Sequence, residues 1–234
     1  MISIIETYGK AFLYSDGYNM TGVAMTLWLL VSACIIGFCL AVPLAIARNS
    51  KHFLVRAPVW LYCFVFTGTP LYVQLLVIYT GFYSLDFVHH VPSLNEFFRS
   101  GIDCTILAFG LNTGAYTTEI FAGAIRDTNF GEVDAARSLG YSTTKLYRRI
   151  ILPSALRRAL PVYSNEVILM LHSTTLAFTA TVPDILKIAN DAYSATYNPF
   201  AAFTLAAFLY ACISFTLIFG FRKAEAHFLA FQKR

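Results

Sequence analysis

Five apolar runs dominate this sequence, each longer than the roughly 20 residues a helix needs to cross the hydrocarbon core of a bilayer. They extend from about Gly22 to Ala47, Pro58 to Tyr83, Ile102 to Ile125, Pro161 to Val182 and Phe200 to Phe221. In lipid, every backbone N–H and C=O has to find its partner within the protein, and a run of this length with no two-residue alternation does so as a helix. Charged residues make up only 13% of the chain, about half the share usual in a soluble domain, while 57% are hydrophobic. The prediction is an all-α membrane protein with five transmembrane helices, forming a single membrane domain over residues 1–234. The third and fourth runs are the most polar, carrying Glu119 and Glu166 among several Thr, Ser and Asn residues, and are expected to face protein or water instead of lipid.

Basic residues give the orientation. Arg48, Lys51 and Arg56 follow the first run. Arg126, Arg137, Lys145, Arg148, Arg149, Arg157 and Arg158 lie between the third and fourth, and Arg222, Lys223, Lys233 and Arg234 end the chain. Five spans put all of these on one side. The other side keeps only Lys10, Arg99 and Lys187 against seven acids, namely Glu6, Asp16, Asp86, Glu96, Asp103, Asp184 and Asp191. By the positive-inside bias the N-terminus lies outside and the C-terminus in the cytoplasm. The net charge of +4 reads as this loop bias and not as a nucleic-acid footprint.

Residues 1–20 are too short and polar to span, but Ile4, Ile5, Tyr8, Ala11 and Phe12 recur at helical spacing, as in an interfacial helix on the outer side. The start lacks a basic n-region and a small-residue cleavage site, so no cleavable leader is expected. The five cysteines are scattered, with no C-x-x-C or Cys/His ligand spacing, and no metal site is expected.

The stretch 128–160 is too long for a turn and carries helix punctuation. Asn129 with Glu132 three residues on forms a capping-box pattern, a short helix follows over about Gly131 to Leu139, and Gly140 is the expected stop. Ser142 caps a second helix that Pro153 should interrupt. Two short helices projecting into the cytoplasm fit either a docking element for a cytoplasmic partner or a basic loop held by anionic headgroups.

Within this stretch Asp134-Ala135-Ala136, then Gly140, then Ile150-Ile151-Leu152-Pro153 resemble the EAA loop of binding-protein-dependent ABC importers, with Asp134 where the motif has Glu. Two further stretches, 67–75 (TGTPLYVQL) and 115–125 (AYTTEIFAGAI), resemble the polar amino-acid permeases of the histidine/lysine-arginine-ornithine type, with Thr67 where the family usually has Arg. The likeness continues through 152–157 and 163–173 and covers nearly the whole chain. It implies a type I ABC importer permease fold. It also implies a second membrane subunit (a paralogue of this one), two ATP-binding subunits beneath, and a periplasmic amino-acid-binding protein that delivers the ligand. It assigns ATPase docking to Asp134, Ala135, Ala136 and Gly140, the coupling helix. The chain has no G-x-x-x-x-G-K-[ST] loop, so it is not expected to be an enzyme. ATP and Mg are expected on the partner ATPase, with no cofactor in this chain. The implied location is the bacterial inner membrane.

Intramembrane carboxylates are costly and default to a functional reading, so Glu119 and Glu166 are candidates for a cationic substrate path. The alternative for Glu119 is an ion pair with a cytoplasmic arginine such as Arg126; for Glu166 it is a structural hydrogen bond or pair. On the fourth run Glu166, Met170, Ser173, Thr174 and Thr181 share one side, while His172, Thr175 and Thr179 share another. Either stripe can line a pore, or its hydroxyls can bond their own helix carbonyls. Gly68 and Pro70 are expected to break or kink the second run, as a gate or as a packing kink. Two intramembrane acids and an acidic outer side suit histidine, lysine, arginine or ornithine as cargo. Two other classes stay open: a proton- or sodium-coupled secondary transporter using Glu119 and Glu166 as a relay, and a scaffold subunit with no pathway of its own.

Overall fold

The computed structural model describes residues 2–229, and within them the chain is helical from end to end. Helix α1 (Ile2–Leu13) leads through a short turn to α2 (Gly22–Arg48), then α3 (Phe53–Gly68) and α4 (Leu71–Leu76), which runs on through a π-helical turn to Gly81. Two short helices, α5 (Asp86–His90) and α6 (Pro92–Arg99), precede α7 (Gly101–Arg126). Helices α8 (Phe130–Ser138) and α9 (Thr143–Leu146) form the predicted pair between the third and fourth runs. A π-helical turn joins α9 to α10 (Leu152–Ser173), a 3-10 segment carries it to Ala180, and α11 (Ile185–Thr196) and α12 (Pro199–Phe228) complete the fold.

By length and composition α2 and α12 are apolar enough to cross a bilayer, and α3 with α4 makes a third candidate bent by 105° at its break. The center of the bundle is the crossing of α2 on α7. A Cβ built on Gly37 would lie 2.3 Å from Thr113 Cγ2 and 3.1 Å from the backbone nitrogen of Gly114. Gly114 in turn lies against the Gly37 Cα, so two glycines let the helices touch backbone to backbone. Around this crossing a core of Leu29, Ala33, Leu75, Phe109, Met170 and Leu171 joins α2, α4, α7 and α10.

Two smaller cores mark the bundle's ends. At one, Ala41, Ala45, Phe121, Ile125, Val133, Ala136, Leu146, Ile151 and Ala155 pack together, so the basic segments after α2 and after α7 share this end. At the other, Ile4 and Phe12 of α1 pack on Ile185, Ile188, Ala189 and Ala192 of α11 and on the start of α12. Helix α1 therefore packs Ile4 and Phe12 on protein while Ile5 and Leu13 stay exposed. Asp184 caps α11 by accepting the Lys187 N–H at 2.8 Å, accepts the Tyr210 hydroxyl at 3.1 Å, and is fully buried. Burial pushes its carboxyl up to about 6.

Two local expectations are corrected. Pro153 does not stop the helix that Ser142 begins. The Leu152 N–H reaches back five residues to the Tyr147 carbonyl, and this widened turn absorbs the N–H that Pro153 lacks, so the helix continues into α10. The helix that carries the fourth apolar run accordingly begins well before Pro161. At Asn129 the side chain accepts from the Gly131 N–H at 2.9 Å, an Asx turn in place of the predicted capping box.

Candidate functional site

A cavity of about 510 Å³ opens where the α3–α4 break meets α7 and the later part of α10. Larger hollows of about 770 Å³ beside Arg48 and Arg56 and about 690 Å³ at the α1–α11 end exist, but only this one gathers a carboxylate, a broken helix and several hydroxyls. Pro70, Glu166, His172 and Ser173, all singled out by sequence, line it together with Thr69, Asn112, Tyr116 and Thr175.

The break itself explains why the cavity has polar walls. A helix that ends inside a membrane leaves carbonyls without intrahelical donors, and each needs a replacement. Here side chains supply them. Thr67 Oγ1 donates to the Cys63 carbonyl at 2.7 Å and Thr69 Oγ1 to that of Val65 at 2.8 Å. Gln74 Nε2 donates to the carbonyls of Phe66 at 2.9 Å and Thr69 at 3.0 Å. Asn112 Nδ2 adds a second bond to Phe66 at 3.1 Å and one to Gln74 Oε1, while Tyr116 donates to the Thr67 carbonyl at 3.3 Å. Gln74, Asn112 and Tyr116 were not singled out by sequence reasoning; a primary amide inside an apolar run was the available signal. Gly68 matters less than expected. Its φ is not positive and a Cβ there would meet nothing within 4 Å, so the corner rests on Pro70 and the carbonyl caps.

Glu166 is 8% exposed and accepts one hydrogen bond, from Thr113 Oγ1 at 3.3 Å. Among the described residues no cation is paired with it. The cavity hydroxyls give their protons inward: Ser173 to the Leu169 carbonyl at 2.9 Å and Thr175 to that of His172 at 2.7 Å. Their lone pairs remain as acceptors on the cavity side. His172 is exposed, with Nε2 3.2 Å from Ser214 Oγ of α12. A carboxylate without a cation partner, flanked by hydroxyl acceptors and apolar side chains, is chemically suited to an ammonium or guanidinium group on an apolar stem.

The other two path candidates lie elsewhere. Glu119 pairs with Arg48 at 2.7 Å, tying α7 to α2 at the basic end. The pairing foreseen as the alternative is thus found, with Arg48 and not Arg126 as the cation. Thr174 is fully buried and donates to the Leu171 carbonyl at 2.6 Å.

The α8–α9 segment presents a second surface. Gly140 has φ +76, and the Gly140 N–H bonds the Arg137 carbonyl while the Tyr141 N–H bonds that of Ala136, a Schellman ending that needs the left-handed residue. Asp134, Ala135 and Gly140 face outward, whereas Ala136 is buried with Val133 against Leu146 and Ile151. Asp134 is held only by an exposed contact to Arg137 at 3.3 Å, worth little in water. Phe130 at the start of α8 and Leu139 just after its end, which the motif does not include, stand 79% and 77% exposed.

Comparisons with known proteins identify the family of the chain. The chain is 62% identical, over 98% of its length and 97% of the relative's, to the histidine/lysine/arginine/ornithine transport system permease protein HisM of Salmonella typhimurium strain LT2. It is 60% identical to the protein of the same name from Escherichia coli K12, over 100% of this chain and 98% of the relative. A crystal structure of an amino acid ABC transporter with histidines superposes with a TM-score of 0.81 at 27% identity, covering 97% of both chains. Residues 35–224 match the model of the binding-protein-dependent transport system inner membrane components, and the chain belongs to that family.

Proposed function

We propose that this chain is one membrane subunit of an ABC importer that carries histidine, lysine, arginine and ornithine across the bacterial inner membrane. The observation that carries the reading is Glu166, a buried carboxylate with no cation partner among the described residues, on the wall of a cavity whose other lining mixes hydroxyls and an amide with apolar side chains. The cargo named for the relatives supplies the same chemistry: a positively charged side chain, or an imidazole, beside an α-ammonium group.

In this reading the chain spans the membrane five times, with the α1–α11 end outside and the α8–α9 segment in the cytoplasm. A paralogous membrane subunit closes the open side of the cavity, and a periplasmic binding protein delivers the amino acid to the outer end. Two ATP-binding subunits hold ATP and Mg beneath the α8–α9 segment. Asp134, Ala135 and Gly140 meet them, with Phe130 and Leu139 as apolar anchors; Ala136 serves from behind by letting α8 seat closely on its own subunit. ATP-driven closure of the ATPase pair tilts the two bundles and turns the cavity outward, and hydrolysis returns it inward.

The test is uptake of labelled arginine, lysine and histidine, with glutamine and leucine as controls, in cells lacking and then regaining this gene. Restored cationic uptake that is abolished again by Gly140→Arg supports the reading. Unchanged uptake of all five on deletion overturns the cargo assignment.

A further inference from the structure

Arg158 sits where the α8–α9 segment joins the bundle. Helix α7 ends with its Asp127 N–H bonded to the Gly123 carbonyl and its Thr128 N–H to that of Ile125, which passes over the carbonyl of Ala124. Arg158, from the second turn of α10, fills the gap. Its Nη2 donates to the Ala124 carbonyl at 2.9 Å and to Thr128 Oγ1 at 2.9 Å, and its Nη1 donates to Ser154 Oγ on its own helix. Thr128 is 6% exposed. No carboxylate pairs with this arginine among the described residues, and its Nε is buried without a partner. The favorable field it does have is the negative end of α7, where a cation is stabilized by the unpaired carbonyls.

The contact ties the end of α7 and the residues after it, at 124–128, where the chain enters the α8–α9 segment, to the start of α10, at 154–158, where it leaves. On its other side the same end of α7 is tied to α2 by Arg48–Glu119 at 2.7 Å and by Asn49 Nδ2 to the Ala122 carbonyl at 3.1 Å. A displacement of α8 therefore meets a stem clamped at both feet. It turns α7 and α10 together instead of flexing the chain at residues 127–129. Glu166 lies about two helical turns beyond Arg158 on the same continuous helix, with Pro161 between them.

We propose that Arg158 is the positioning residue that transmits movement of the α8–α9 segment to the cavity, so that without it nucleotide turnover and cavity opening come apart. This rests on the coupling reading of α8–α9 given above.

The experiment uses the whole transporter in lipid nanodiscs and proteoliposomes, with Arg158→Met, Arg158→Lys and Thr128→Val, and Gly140→Arg as the control for the coupling reading. Four quantities are read: assembled complex, basal ATP hydrolysis, stimulation of hydrolysis by loaded binding protein, and uptake per assembled complex. Arg158→Met is expected to assemble and to hydrolyze ATP, while stimulation and uptake per complex fall by about tenfold or more, the size of an ordinary coupling free energy. Arg158→Lys, which keeps the charge and part of the donor set, recovers part of the loss, and Thr128→Val loses a smaller part. If Arg158→Met assembles with normal stimulation, the proposal is wrong. Should Arg158→Met fail to assemble, Thr128→Val with normal stimulation per complex overturns it equally. A Gly140→Arg transporter that assembles, hydrolyzes and transports normally would sink the coupling reading itself, whereas failure of the Arg158 proposal alone leaves Gly140→Arg defective.

Discussion

Replacing Gly37 with alanine adds one methyl group at the point where α2 and α7 touch. That carbon would stand 2.3 Å from Thr113 Cγ2, 3.1 Å from the Gly114 nitrogen and 3.3 Å from the Thr113 carbonyl carbon. A comfortable separation of carbons is about 3.5–4.0 Å, so the side-chain clash alone calls for more than 1 Å of movement. Thr113 could rotate to withdraw Cγ2, but rotation takes its hydroxyl off Glu166, where the bond is already 3.3 Å long. Rotation also leaves the two backbone contacts in place, so the helices have to part. Overpacking of this kind costs about 1–3 kcal/mol, and the lost hydrogen bond adds about 1 kcal/mol. At about 2–4 °C per kcal/mol for a chain of this size, Gly37→Ala should lower the melting temperature by roughly 4–16 °C. The assay is thermal unfolding of the purified complex in detergent, followed by uptake on whatever fraction survives. Gly68→Ala is the matched control, because a Cβ there meets nothing within 4 Å. It should melt at the wild-type temperature or slightly above. A Gly37→Ala protein melting within about 1 °C of wild type would refute the argument that the glycine crossing sets the helix separation.

Glu166→Gln keeps an acceptor for Thr113 and removes the charge. Transport efficiency for arginine and lysine should fall about ten- to a hundredfold, the worth of a charge-assisted hydrogen bond, with the melting temperature unchanged or raised, since a buried unpaired charge is removed. Labelled uptake in proteoliposomes checks this. For Asp184 the folded carboxyl lies above its ordinary value of 3.8, at about 6. Its stabilizing contribution is therefore complete below 3.8 and is lost as the pH rises through 6. Thermal melts between pH 4 and 7 should show that loss, and Asp184→Asn should flatten it while keeping the α11 cap. Phe130→Ala and Leu139→Ala remove exposed side chains and should leave the subunit's own melting temperature within about 1 °C, yet weaken co-purification of the ATPase by tenfold or more if they anchor it.

How much of this was legible in the sequence divides along a physical line. Signals that act over a few residues could be read directly. The helices at 22–48 and 101–126, the Gly140 ending, the Ser142 cap and the corner at Pro70 all follow from local propensity, the lack of a proline N–H, or the need for a left-handed residue. Contacts closed over long separations could not be read in the same way. Glu119 has its cation 71 positions away in Arg48, where sequence proximity pointed to Arg126. Asn112 reaches the Phe66 carbonyl across 46 positions. Of the two stripes on the fourth run, Glu166, Met170 and Ser173 of one and His172 and Thr175 of the other line the same cavity, but Thr174 falls out of it because the helix tightens to a 3-10 turn there and rotates that residue inward. Pro153 failed as a stop for a related reason: a π-helical turn is a tertiary accommodation with no sequence period of its own.

The corner between α3 and α4 bears on how such a subunit can change shape. Its carbonyls at Cys63, Val65, Phe66, Thr67 and Thr69 are each occupied by a side chain. Straightening the chain into one long helix would discard the bonds that Gln74, Asn112 and Tyr116 make to the carbonyls of Phe66, Thr67 and Thr69, and Pro70 can donate nothing to the Phe66 carbonyl in exchange. The bend is therefore a fixed fitting, as an elbow is in pipework, and not a spring that winds and unwinds with each turnover. Any alternation of the bundle then comes from whole limbs swinging about that elbow, which keeps the side chains that cap the corner in one arrangement throughout.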